Sequence, residues 1–127
     1  MNVVDSCGWL EYFAGGPNAD FFASPLESTE ETLWVPTLCL YEVFKNILGQ
    51  FGREQAVEKV AVMRQGTVVS LDDNLALDAA LLSHELGLPM ADSIILATAR
   101  SCGAQLWTQD AHFEHIDGVR YCAKKDH

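Results

Sequence analysis

Four acidic residues stand where solubility does not explain them: Asp5, Glu42, Asp92 and Asp110. Each lies at the edge of an apolar stretch: after Val3-Val4, after Leu38-Cys39-Leu40-Tyr41, before Ile94-Ile95-Leu96, and after Leu106-Trp107. A carboxylate at the lip of a buried element costs desolvation energy unless something pairs with it. Brought together, four of them repel and need positive charge between them. The chain offers few cations nearby, so a divalent metal is the economical partner. Mg²⁺ or Mn²⁺ accepts carboxylate and water oxygens in near-octahedral geometry. Such an ion lowers the pKa of a bound water, polarises a phosphoryl oxygen and stabilises a leaving oxygen. The chemistry expected of this set is therefore phosphodiester hydrolysis. The hydroxyls of Ser6 and Thr108 are placed to orient a carboxylate or a metal-bound water.

The elements that must position these acids follow from periodicity and punctuation. Asn2 to Asp5 reads as a short buried strand, with Ser6 as N-cap of a helix over Cys7 to Phe13. Pro17 fits the first position of a second helix reaching about Leu26. Leu33-Trp34-Val35 reads as a strand ended by Pro36. Thr37 caps a helix over Leu38 to Leu48, and Gly49 and Gly52 mark its end. The apolar period of Arg53 to Arg64 predicts a further helix. A third strand covers Thr67 to Leu71, a helix Asp73 to Leu86, and another helix Met90 to about Cys102. Ala104 to Trp107 is the fourth strand, Thr108 to Glu114 loop and short helix, and Val119 to Cys122 a final strand before the charged tail Lys124 to His127.

Short apolar strands alternating with helices predict a three-layer α/β/α sandwich around a mostly parallel sheet of four to five strands. Residues 1–127 are expected to form a single domain, since no repeat, low-complexity tract or long linker interrupts them. In such a sheet, ligands bind outside the carboxyl ends of the strands at a topological switch point. Asp5 ends the first strand, Asp110 follows the fourth, and Glu42 lies in the second turn of the helix leaving the second strand. Asp92 opens the helix that enters the fourth strand, at that same end after a right-handed crossover.

Hydrophobic residues make up 49 % of the 127, which argues for a packed globule. No apolar run approaches the roughly 20 residues needed to cross a bilayer, and no secretion signal is read, so the cytoplasm is the expected location. Cys7, Cys39, Cys102 and Cys122 have no metal-knuckle spacing and are expected as free thiols, with Cys39 and Cys102 in apolar surroundings. The net charge of −10 is the opposite of an electrostatic nucleic-acid footprint. A polyanionic substrate must then meet a local patch or be bridged by metal.

The motifs Val3-Val4-Asp5-Ser6, Tyr41-Glu42-Val43, Ala91-Asp92-Ser93-Ile94-Ile95-Leu96-Ala97-Thr98-Ala99 and Trp107-Thr108-Gln109-Asp110-Ala111-His112-Phe113 occur in that order over nearly the whole chain. With them the sequence resembles the PIN-domain ribonucleases, in particular the small VapC-type toxins of toxin–antitoxin pairs. The resemblance implies a metal-dependent endoribonuclease acting on RNA of the tRNA or rRNA class, a homodimer, and an antitoxin partner. By motif it carries over Asp5, Glu42, Asp92 and Asp110 as ligands of Mg²⁺ (or Mn²⁺), with Thr108 as the supporting hydroxyl and Ser6 as a helper. Many relatives place a further acid soon after the last aspartate; here Ala111, His112 and Phe113 intervene before Glu114, which puts a second metal position in doubt.

Blander readings exist for the same residues. Asp5 and Asp92 are both good helix N-caps. His112, Glu114, His115 and Asp117 have the types of a transition-metal site, but a solvated helix end is the expected role. Trp9, Phe13, Phe21 and Phe22 are expected in the core rather than as a docking stripe, and Lys45 is the basic residue best placed for a phosphate. A dehalogenase-type phosphatase needs a second Asp where Cys7 stands, and a receiver domain needs an acidic pair at the first strand. The rival from another class is a non-catalytic protein-binding module within an antitoxin–operator complex.

Overall fold

Five parallel strands line up in the order β3-β2-β1-β4-β5. They are β1 (Asn2–Val4), β2 (Leu33–Pro36), β3 (Thr67–Val69), β4 (Gln105–Thr108) and β5 (Val119–Tyr121). Among the described residues six α-helices connect them: α1 (Ser6–Ala14), α2 (Ala19–Glu27), α3 (Thr37–Phe51), α4 (Arg53–Met63), α5 (Asp73–Leu86) and α6 (Met90–Ser101). A 3₁₀ turn, Ala111–Phe113, separates β4 from β5. This computed structural model describes residues 1–126; the end of the expected charged tail, His127, lies outside the described residues.

The α/β architecture is the one expected, with every strand pair parallel. Strand β1 sits in the middle and is buried throughout, as a central parallel strand must be, whereas the edge strands β3 and β5 are only partly covered. Crossovers leave β1 in both directions, so the chain reverses between β1 and β4, and helices flank the sheet on both faces. The register sets Val4 opposite Trp107, and the ladder continues as the Asp5 amide donates to the Trp107 carbonyl at 2.9 Å. The switch point therefore falls at Asp5 and Thr108.

The core joins Val3, Val4, Val35, Leu106 and Trp107 of the sheet to Trp9, Phe22, Val43, Met63, Ile95 and Leu96 of the helices. Phe21 packs on Phe22 and Trp107 with ring centres 5.0 and 5.1 Å apart, and Trp9 is buried, so Trp9, Phe21 and Phe22 are core packing, while Phe13 packs against the core with one side open to a groove. Gly8 lets α1 seat against that core, because a Cβ there would lie 2.6 Å from Phe22 and 2.7 Å from Val4. All four cysteines are free thiols; Cys39 is buried, while Cys102 is only half-covered at the end of α6.

Several element ends differ from the sequence reading for local reasons. Asp5, not Ser6, caps α1, with its carboxylate accepting from the Ser6 amide. Helix α2 starts two residues after Pro17, because the Asn18 amide is taken by Glu11 Oε2 and the Asn18 side chain is drawn into the core. Helix α3 begins at Thr37 with Pro36 in the cap position, and it runs through Gly49 to Phe51; only Gly52, at φ 92°, ends it. By contrast α5 has the expected bounds, set by the Asp72 carboxylate on the Leu75 amide and by left-handed Gly87.

Candidate active site

Asp5 is the most constrained of the four acids. It is 4 % exposed, and its position after β1 gives it three tasks at once. Its amide closes the β1–β4 ladder, Oδ1 accepts the Ser6 amide at 2.8 Å, and Oδ2 accepts the Thr108 hydroxyl at 2.7 Å. The Cys7 thiol also donates to Oδ2, at 3.4 Å. Burial nevertheless dominates and lifts the Asp5 carboxyl to about 6, against the lowering effect of the Thr108 and Cys7 donors; the charge of Asp92 lifts it further. The same burial pushes the Cys7 thiol up to about 12, so it stays a neutral donor.

Thr108 is fully buried and acts as a relay. Its Oγ1 donates to Asp5 and accepts the Asp110 amide at 3.0 Å, tying the first acid to the last. Glu42 projects from the second turn of α3, and its Oε1 accepts the Ser6 hydroxyl at 2.7 Å. Ser6 thus bridges α1 and α3.

Asp92 is the third residue of α6, whose N-cap position is Pro89, so it does not cap that helix. Its carboxylate faces Asp110 across the switch point. Burial raises its pKa, and the nearby charges of Asp110 and Glu42 add to this, while His112 opposes them.

One carboxylate oxygen each of Asp92 and Asp110, with Nδ1 of His112, lie within 4.8 Å of one another. The imidazole is 2.8 Å from Asp92 Oδ2 and 3.2 Å from Asp110 Oδ1. Those two partners raise the pKa of His112. Asp5 and Glu42 stand outside this tight set and join it through Thr108 and Ser6. The sequence reading had placed His112 at a solvated helix end. It missed the contact because Asp110 folds the chain back on itself: Asp110 Oδ1 accepts the His112 amide at 2.9 Å, an Asx turn that an aspartate two residues before a histidine does signal. His115, 90 % exposed, and Glu114 pair with each other outside the cluster, so no histidine pair forms there. Lys45 lies over the Tyr41 ring, 5.8 Å from its centre.

Charge bookkeeping decides what the cluster can hold. Among the described residues no lysine or arginine forms an ion pair with any of the four acids; the basic partner present is His112. Oxygen donors with this excess of negative charge fit a hard divalent cation. A second polar network borders the cluster. Buried Asn18 donates through Nδ2 to Gln109 Oε1 at 2.9 Å and to the Ala123 carbonyl at 3.0 Å.

The PIN domain family model matches residues 3–119. The chain belongs to the PIN domain family. No curated protein matches it in sequence. Solved structures share its fold at low identity. One is a toxin–antitoxin complex from Klebsiella pneumoniae, with a TM-score of 0.78 and 21 % identity over 94 % of this chain and 96 % of that one. Another is VapBC2 from Rickettsia felis bound to a DNA fragment from its promoter, with a TM-score of 0.75 and 15 % identity over 96 % and 97 %. A third is VapC20 from Mycobacterium tuberculosis, a Sarcin-Ricin loop cleaving toxin, with a TM-score of 0.73 and 20 % identity over 92 % and 95 %. The resemblance read from the four motifs is thus borne out for the PIN family and its fold. No helix among the described residues is long and apolar enough to cross a membrane.

Proposed function

We propose that this PIN domain is a metal-dependent endoribonuclease, the toxin of a VapBC-type toxin–antitoxin pair, working as one domain over residues 1–127. The observation that carries the reading is the carboxylate cluster at the β1/β4 switch point, which among the described residues no lysine or arginine neutralises. Asp5, Glu42, Asp92 and Asp110 would hold Mg²⁺ or Mn²⁺. When bound, the ion supplies a water of lowered pKa and a Lewis acid for the phosphate.

The chain's own residues then have separate tasks. Thr108 fixes the Asp5 carboxylate and, through the Asp110 amide, the distance between the two strand ends. Ser6 holds Glu42 toward the cluster. His112 balances the charge of Asp92 and Asp110 from a position 59 % exposed to solvent. In the reaction the oxygen of water bonds to phosphorus and the P–O3′ bond breaks. The products are a 5′-phosphate and a 3′-hydroxyl.

RNA of the tRNA or rRNA class is the proposed substrate, with an antitoxin protein and a second copy of the chain as partners in the cytoplasm. A Sarcin-Ricin loop cleaving toxin among the structural neighbours supports the rRNA choice. Cleavage of RNA by purified protein with Mn²⁺ or Mg²⁺, compared with Asp5→Asn and Asp92→Asn, tests the reading. Undiminished cleavage by both variants, or 2′,3′-cyclic phosphate ends, rejects it. A protein that cleaves neither RNA nor matched DNA yet binds an antitoxin is the non-catalytic module instead.

A further inference from the structure

Gln109 sits between Thr108 and Asp110 and is only 8 % exposed, yet half of its amide is unused. Oε1 accepts from Asn18, whose own orientation is fixed because its Nδ2 also reaches the Ala123 carbonyl and its Oδ1 accepts the Cys122 thiol at 3.4 Å. Gln109 Nε2 must then face away from Asn18, and it has no partner among the described residues. It is not sealed either, since the sealed side-chain polar atom without a partner is Trp34 Nε1. Gln109 lines a groove of about 480 Å³ that adjoins the carboxylates at Cys7, the thiol bonded to Asp5.

The rest of that groove combines apolar and aromatic walls with two lysines and one acid, Glu11, whose Oε2 already accepts the Asn18 amide. Phe13 and Phe51 line it, and the Phe51 ring is 68 % exposed at the end of α3. Lys59 and Lys124 also line it, two of the eight lysines and arginines in a chain of net charge −10, and Lys59 Nζ lies 5.5 Å from the centre of the Phe13 ring. Aromatic faces take the π surface of an unstacked base, and cations take its phosphates. A donor held rigid by a buried neighbour loses little freedom on binding. An apolar helix from a protein would fill the aromatic walls but leave both lysines and the Gln109 donor idle.

We propose that this groove holds a base of the RNA substrate beside the scissile phosphate, and that Gln109 Nε2 selects an acceptor edge. With Oε1 already engaged, Gln109 offers only N–H donors. Guanine presents two adjacent acceptors (O6, N7) and uracil two carbonyls (O2, O4), whereas adenine and cytosine set an amino group beside their acceptors (N1 and N7, or N3), and Gln109 has no acceptor left for that group. This rests on the nuclease reading, and the experiment separates the two.

An RNA pool randomised in sequence is cut by the wild-type protein with Mn²⁺, and the ends are sequenced. Guanine or uracil is enriched over adenine at one position near the cut. Gln109→Met reduces that enrichment by roughly 3- to 10-fold, the worth of one neutral hydrogen bond, and Phe51→Ala, which removes a stacking face open to every base, slows cutting of the whole pool by roughly 3- to 10-fold. Phe51 is exposed, so its variant reports even where Gln109→Met folds poorly. Cutting without base preference, a cutting rate unchanged in Phe51→Ala, or a preference unchanged in a folded Gln109→Met overturns the proposal. If the wild type cuts no RNA, the nuclease reading fails, and the groove is tested alone by titrating guanosine and uridine monophosphates while following the Gln109 side-chain amide by NMR. A shift with these and not with adenosine monophosphate supports the base site. No shift, or a shift only with an apolar helical peptide, overturns it.

Discussion

Replacing Asp5 by Asn should make the metal-free protein more stable while removing its activity. An acid whose folded-state pKa is raised destabilises the fold in its ionised form. Lifting the carboxyl from 3.8 to about 6 costs the native state about 3 kcal/mol once both states are ionised. The sign is fixed by proton uptake: between those two values the native protein binds more protons than the unfolded chain, so stability falls as pH rises from near 4 to near 6 and is then flat. Asn keeps the shape and stays neutral. It still accepts from one of the donors that Asp5 now serves, the Ser6 amide or the Thr108 hydroxyl, and one mismatched bond costs about 1 kcal/mol. The net gain at pH 8 is therefore about 2 kcal/mol, on the order of 8 °C in Tm for a domain of this size. Urea or thermal unfolding in chelator, at pH 8 and at pH 4.5, measures it. The advantage of Asn should shrink by about 2 kcal/mol at the lower pH, where native Asp5 is already protonated, and should shrink again at pH 8 when Mg²⁺ stabilises the wild type by mass action. An Asn variant less stable than wild type at pH 8, or a difference that does not move with pH, would refute the buried, uncompensated charge on which the site argument stands.

Other consequences are open to measurement. Mg²⁺ binding, followed by calorimetry, should weaken as pH falls, first as His112, raised above its ordinary 6.5, takes up a proton, and further below about 6 as Asp5 does. Thr108→Val should lower stability by roughly 1–3 kcal/mol, since both the Asp5 carboxylate and the Asp110 amide lose a buried partner; chemical denaturation reads the loss. Ser6→Ala should cost less than about 1.5 kcal/mol in stability and about tenfold in cleavage rate, because it frees a half-buried Glu42 rather than stranding a sealed group; equal loss in both assays would contradict a positioning role. Gly8→Ala should destabilise by about 1–3 kcal/mol, as its methyl meets Phe22 and Val4; an unchanged unfolding midpoint would show that α1 shifts freely.

What could be read in advance was whatever is written locally. Helix α5 carries its own stop and start signals in Asp72, Gly87 and Pro89, and its bounds were legible residue by residue. Asp5 and Thr108 could be placed because a parallel sheet with short apolar strands leaves few topologies, and one of them sets the first strand beside the fourth. The rest depended on partners far away in the chain. Glycine at position 49 looks like a helix end, but Ile47 is buried in the core and the helix continues past it. Pro17 looks like the first residue of a helix, but the next residue, Asn18, holds the N-cap position with its side chain claimed by Gln109 and Ala123, which periodicity does not reveal. His112 looked like a surface residue because its environment is made by Asp92, on another helix.

The bond from Thr108 to Asp5 closes a span of 103 residues, and strand β1 gains its inner neighbour β4 only at Gln105. Contacts of such long range are the last that a growing chain can make, since their loop closure must wait for the distant segment. While the chain is still being synthesised it therefore carries Asp5 without the hydroxyl that holds it and without the two aspartates that complete the cluster. Whatever this site does, a growing polypeptide cannot do it before Asp110 has emerged and folded back onto Asp5.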